Sequence, residues 1–165
     1  MDKDYLSKMT CLQWISPDRF GVPNTEIVFK PAVWALAVKK CRVIGRLRTP
    51  SEKLEALVWV MSLLQLNFKM AYGHRKEAFA STDDLFPSLV YVLCQAKLET
   101  PFCTERFLEV FMPCDSQIGE EAMRRVIFFT ANQHLLNLNG RNLDLTEKEF
   151  LYALQHDEAP PIVLE

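Results

Sequence analysis

Apolar residues recur along this chain at helical spacing in every long segment. Leu54, Leu57, Val58, Met61 and Leu64 follow one another at i, i+3, i+4, i+7 and one further step of three. Leu85, Leu89, Val92, Leu93 and Ala96 repeat the pattern. No long segment alternates with period two, and no internal repeat or low-complexity tract is present. Helix starts are marked as well. Thr49-Pro50-Ser51-Glu52 combines an N-cap Thr, Pro at the first helical position and Glu two residues on, a capping box with the favoured proline. Thr146-Glu147-Lys148-Glu149 is a second capping box and opens a short helix through Leu154. Ser81-Thr82-Asp83-Asp84 offers a third start. Pro87 is tolerated only near a first turn, so that helix is expected to begin just before it. Loops are predicted at 16–24, 72–80, 100–104, 113–119 and 139–142. Residues 1–20 read as the end of a preceding helical element together with the first core helix. Residues 21–156 form the main domain, and 157–165, with Pro160-Pro161, form a fraying tail. The expectation is an all-α fold, a single compact domain of about six helices.

Composition narrows the function. A chain of 165 residues can bury a real core, and 49% apolar with 24% charged residues is the globular average. Lys and Arg number 19 against 21 Asp and Glu, a net charge of −2. That argues against a surface built to coat nucleic acid. Only five glycines are present, with no GxxxxGK[ST] and no GxGxxG, so the chain is not expected to bind a nucleotide itself. Met1-Asp2-Lys3-Asp4 is too charged for a signal peptide, and no apolar core follows it. The longest apolar stretches, at 31–38 and 57–66, fall short of the roughly 18 residues of a spanning helix. Cys11, Cys41, Cys94, Cys103 and Cys114 are odd in number and lack CxxC spacing. They read as reduced, mostly buried thiols of a cytoplasmic protein. His74, His134 and His156 are scattered and HExxH is absent, so neither a metal nor a cofactor is expected.

Three local features have competing readings. Lys39, Lys40, Arg42, Arg46 and Arg48 are interleaved with Val43, Ile44 and Leu47. They form either a contact for an acidic partner or an anionic membrane surface, or simply a solvated helix face, which is the default. Trp14, Trp34 and Trp59 sit in apolar surroundings and are expected in the core. Asp83-Asp84 favours a helix macrodipole, which alone accounts for two carboxylates there. A glycoside-type acid pair would need a second carboxylate across a cleft, and the sequence points to none.

The segment from Ser81 to Leu93, with Asp83-Asp84, two apolar residues, Pro87 and an apolar helix through Tyr91-Val92, resembles the signature of the vacuolar protein sorting nine domain. That family consists of exchange factors for the Rab 5 branch of small GTPases. Further matches fall in order: Cys11 to Pro17 with Gly21-Val22-Pro23, then Thr49-Pro50-Ser51-Glu52-Lys53-Leu54. Phe107 to Phe111, Gly119-Glu120 and Leu143 to Phe150 follow. The resemblance covers about residues 5–154 and implies a layered helical bundle. It places the family's catalytic Asp on Asp83 and its signature Pro on Pro87, with Asp84 and Leu85 beside them on the partner surface. The family's second signature carries a Tyr and, three residues later, a Thr. Counted without gaps from Gly119-Glu120, these positions hold Met123 and Val126. Thr130 fills the Thr position only if about one helical turn is deleted.

The resemblance implies a mechanism without covalent chemistry. A GTPase holds its nucleotide through a phosphate-loop Lys and Mg²⁺. A carboxylate delivered there gives the Lys a competing partner and repels the adjacent phosphate. The implied partner is a Rab 5-family GTPase, on endosomes reached by a cytoplasmic protein, with other regions of a larger protein touching the membrane. Replacement of the hydroxyl-bearing pair by Met123 and Val126 leaves an alternative: a weak or inactive module that grips a GTPase without ejecting nucleotide.

Overall fold

The computed structural model describes residues 1–73, 82–112, 118–156 and 159–160, and among them every regular element is helical. The α-helices are α1 (Asp2–Cys11), α2 (Thr25–Val28), α3 (Pro31–Val43), α4 (Pro50–Tyr72), α5 (Thr82–Ala96), α6 (Pro101–Phe111), α7 (Glu120–Asn137) and α8 (Glu147–His156). Short 3-10 turns occupy Pro17–Phe20, Ile44–Arg46 and Gly140–Leu143. Among the described residues eight α-helices stand where about six were expected, one of them the four-residue α2. Residues 157–158 and 161–165 of the expected tail lie outside the described residues.

Local chemistry sets the ends of α4 and α8. Thr49 Oγ1 accepts the Glu52 N–H at 3.2 Å while Glu52 Oε2 accepts the Thr49 N–H at 3.0 Å. Thr146 and Glu149 exchange the same pair of bonds at 3.3 and 2.7 Å. The Thr49 N–H and hydroxyl hold the Glu52 carboxyl below its ordinary value, and the Thr146 hydroxyl, then its N–H, does the same for Glu149. The predicted loop 100–104 is instead the start of α6 at Pro101. The 3-10 turns likewise fall where loops were predicted, at 17–20 and 140–143.

Helix α5 is the hub. It packs against α3, α4, α7 and the Pro17–Phe20 turn. Leu89, Val90, Val92, Leu93 and Cys94 are all buried. Helix α4 contributes Leu54, Leu57, Val60, Met61 and Leu64 to the same core, and α7 contributes Phe128, Ala131 and Leu135. Helix α1 is part of it too, through fully buried Tyr5 and Met9. The Tyr5 hydroxyl donates to Asn132 Oδ1 at 2.9 Å, which satisfies two polar groups across the α1–α7 seam.

Helices α3 and α5 run side by side in the same direction. Trp34 meets Tyr91 with ring centroids 5.5 Å apart, and further along Arg42 donates to the Gln95 carbonyl at 3.1 Å. Phe20 and Phe29 complete an aromatic cluster around Tyr91, at 5.7 and 6.0 Å. Burial pushes the Tyr91 phenol above its ordinary value. Lys53 is buried as well, and its Nζ donates to the carbonyls of Ile44 and Gly45 at 2.7 and 3.1 Å. This lysine of the Thr49–Leu54 motif thus closes the chain end that follows α3. It ties that end to α4 and is not free to meet a partner.

One expectation about side chains needs correction. Trp34 is in the core, but Trp59 is 39% exposed and Trp14 only partly buried. Trp59 lies on the face of α4 opposite Leu57, Val60 and Leu64, about half a turn away by helical phase. Cys11, Cys41 and Cys94 are buried, as expected of most of the cysteines, whereas Cys103 is exposed and Cys114 lies outside the described residues. Burial pushes Cys41 and Cys94 up to about 12, so neither is a nucleophile near neutral pH.

Gly21 ends the Pro17–Phe20 turn with φ +84°, and its N–H bonds to the Asp18 carbonyl at 2.9 Å. A Cβ there would lie 3.8 Å from Pro87 Cβ, an ordinary contact, so the left-handed backbone and not crowding requires glycine. Gly21→Ala is expected to lower unfolding stability by about 1 kcal/mol, read from urea denaturation.

Candidate functional site

Asp83 lies in the first turn of α5, exposed, with Asp84 beside it half-buried. Leu85 already turns into the core. The helix start at Ser81 lies outside the described residues, but the helix itself begins at Thr82, so Pro87 falls in its second turn. Proline has no N–H to give the carbonyl four residues back, and that carbonyl belongs to Asp83. Ser88 Oγ donates to the next carbonyl, that of Asp84, at 3.0 Å.

The turn that carries Asp83 is braced on two sides. Pro87 abuts Gly21. Phe86 packs edge-on against His134 of α7 with ring centroids 5.8 Å apart. Burial, and then the positive charge of Lys8, holds the His134 imidazole below its ordinary value, which suits a neutral ring against Phe86. Lys8 itself donates to the carbonyls of Leu136 and Leu138 at 2.8 and 2.5 Å, closing the C-terminal end of α7. Asp83 is thus an exposed carboxylate on a fixed mount.

Met123 and Val126 stand on the solvent face of α7, 58% and 54% exposed. Helices α5 and α7 pack together. Phe86, three residues past Asp83, meets α7 at His134, which is eight residues past Val126, or about 12 Å along the α7 axis. Met123 and Val126 therefore lie along α7 away from that contact, as an exposed apolar patch of their own. Thr130 shares their face, but its hydroxyl donates to the Val126 carbonyl at 2.9 Å within the helix.

Sequence reasoning missed the hollow beside that patch. A cavity of about 410 Å³ lies between α6 and α7, lined by Glu105, Glu109, Arg125, Val126, Phe129, Thr130 and Gln133. Arg125 Nε is buried there without a hydrogen-bond partner, and the guanidinium lies 5.8 Å from the Phe129 ring centroid. Burial and the neighbouring Glu109 push the Glu105 carboxyl up. The one hint in the sequence was the pair Glu105 and Glu109, four residues apart as on one face of a helix. Arg124, by contrast, is 6% exposed and hydrogen-bonds Glu120 and Gln65, so it braces α7 against α4. Among the described residues no cluster of His, Cys, Asp or Glu could hold a metal ion. No helix there is long and apolar enough to cross a membrane.

Comparison with known proteins agrees with this arrangement. The model of the Vacuolar sorting protein 9 (VPS9) domain matches residues 34–139, a stretch that includes both Asp83 and the Met123–Val126 patch. The chain is also similar to Vacuolar protein sorting-associated protein 9A of Arabidopsis thaliana, 24% identical over 153 residues. That match covers 90% of this chain and 28% of the relative. VPS9 domains have a known general role, guanine nucleotide exchange on Rab 5-family GTPases. The family match spans well over half of the residues and runs through the hub helix and the face beside it, so the chain belongs to the VPS9 domain family.

Proposed function

We propose that this chain promotes GDP release from a Rab 5-type small GTPase by presenting Asp83 to the GTPase phosphate-loop Lys. The observation that carries the reading is an exposed carboxylate at the start of α5, a helix otherwise buried and braced at Pro87 and Phe86. Such a carboxylate binds the nucleotide-free GTPase better than the loaded one. It offers the Lys a counter-charge when the phosphates leave and repels them while they stay. Pro87 is a positioning residue in this scheme, and Asp84 and Leu85 with the α7 patch form the surface for the GTPase switch segments. The acting unit is residues 21–156, with 1–20 completing its core from a preceding helical element. The setting is the cytoplasmic face of endosomes, inside a larger protein. A panel of Rab GTPases loaded with fluorescent GDP tests this. Accelerated release is expected from the Rab 5 branch, and no acceleration from any member overturns the proposal.

A second reading is favoured by the α7 patch, where two exposed apolar side chains occupy the positions of the family's Tyr and Thr. Without those hydroxyls the domain grips a GTPase and releases nucleotide poorly. Met123→Tyr combined with Val126→Thr is expected to raise the exchange rate about tenfold, the worth of one or two recovered hydrogen bonds. Unchanged exchange, with equal affinity for GDP-bound and nucleotide-free GTPase, supports the pure binding module instead.

A further inference from the structure

Between Lys30 and Arg48 the chain carries six cations and no acidic residue, although its net charge is −2. Helix α3 sorts these residues by face. Trp34, Ala37 and Cys41 are buried in the core. Leu36, Lys39, Lys40 and Val43 fall at i, i+3, i+4 and i+7, a single stripe on the opposite side. Leu36 is 47% exposed and Val43 38% exposed, large apolar side chains standing in water between lysines. Trp59 joins the stripe from α4, with the Lys40 ammonium 5.7 Å from its ring centroid. Arg42, Arg46 and Arg48 extend the exposed positive rim. Two of these cations have acidic neighbours: Arg46 pairs with Glu99 at 3.3 Å, both side chains solvent-exposed, and Arg48 lies beside Glu52, which accepts its backbone N–H at 3.1 Å.

We propose that this α3 face docks on an anionic lipid bilayer. The cations draw the face to acidic headgroups, each basic residue near the surface adding to the attraction. Leu36, Val43 and Trp59 then enter the headgroup layer, while Lys39 and Lys40 keep their ammonium groups in water along apolar stems. Lysine at the centre of the stripe favours lipid over an acidic protein, because lysine is depleted at protein–protein interfaces. The position suits the rest of the molecule. Helices α3 and α5 are parallel, and the cationic end of α3 lies beside Gln95 and Glu99. Asp83 is at the other end of α5, about 18 Å away along its axis. Docking through α3 leaves Asp83 uncovered, and the inference does not depend on the exchange reading.

Co-sedimentation of the chain with phosphatidylcholine vesicles, with and without about 30% phosphatidylserine, is the test. Binding is expected only with the anionic lipid, and salt of about 1 M should release it. Lys39→Gln with Lys40→Gln is expected to lower the partition coefficient about 30-fold. Leu36→Gln with Val43→Gln is expected to weaken binding while leaving its salt dependence unchanged. All four positions lie on the outer face, so circular dichroism should be unaltered. Equal binding to neutral and anionic vesicles overturns the proposal, as does binding that neither pair of substitutions changes. A chain that ignores vesicles but binds soluble polyglutamate has an acidic-protein site instead, and the lipid assignment fails.

Discussion

Asp83→Asn is expected to lower the acceleration of GDP release by at least about 30-fold, the loss seen when one member of a buried charge pair is removed. The substitution keeps the shape of the side chain and its place in the first turn of α5. It removes only the charge that would face the phosphate-loop Lys once GDP departs. Because Asp83 is exposed in the free protein, the urea unfolding curve should stay where it is. Paired measurement separates the roles: fluorescent GDP release reports exchange, and denaturation reports the fold. An Asn variant with unimpaired release would mean that α5 acts by wedging alone and that Asp83 serves only the helix dipole.

The largest stability loss is expected from Trp34→Ala, about 3–5 kcal/mol. Trp34 is 1% exposed and touches Phe29 at 5.2 Å and Tyr91 at 5.5 Å between ring centroids. Its indole N–H donates to the Val28 carbonyl at 3.3 Å. That carbonyl also receives Asn67 Nδ2 at 2.7 Å, so it stays satisfied when the indole is lost. The cost is therefore a cavity and lost ring contacts at the α3–α5 seam. Urea denaturation measures it, and Trp34→Phe should recover a large part. A loss under about 1 kcal/mol would show that the aromatic cluster closes over the gap.

Elements fixed by neighbours in sequence were the legible ones. The starts of α4 and α8 follow from Thr and Glu three residues apart, and both capping boxes are formed. Thr100-Pro101 looks like Thr49-Pro50 but has Cys103 where Glu52 stands, so residues 100–104 read as a loop. The helix starts there because Asp2, 100 residues away, accepts the Phe102 N–H at 2.9 Å. A cap supplied from another helix leaves no local trace. The Trp59 error had the opposite cause, since helical phase on α4 already placed it outside. At the site, Asp83, Pro87, Met123 and Val126 were named through the resemblance to the family's signatures, not through periodicity or spacing. The bracing by Gly21 and His134 was not legible, because it depends on how α5 packs against distant segments.

Pro87 also changes how α5 comes apart. In an ordinary helix each turn is tied to the next by amide-to-carbonyl bonds, and loosening one turn strains its neighbour. Here the link from the second turn back to Asp83 has no donor. The first turn can unwind at the cost of fewer backbone bonds than any other turn of α5, while Leu89 to Cys94 stay sealed in the core. What keeps that turn wound is therefore packing from outside the helix, Phe86 against His134 and Pro87 beside Gly21, more than the helix's own ladder.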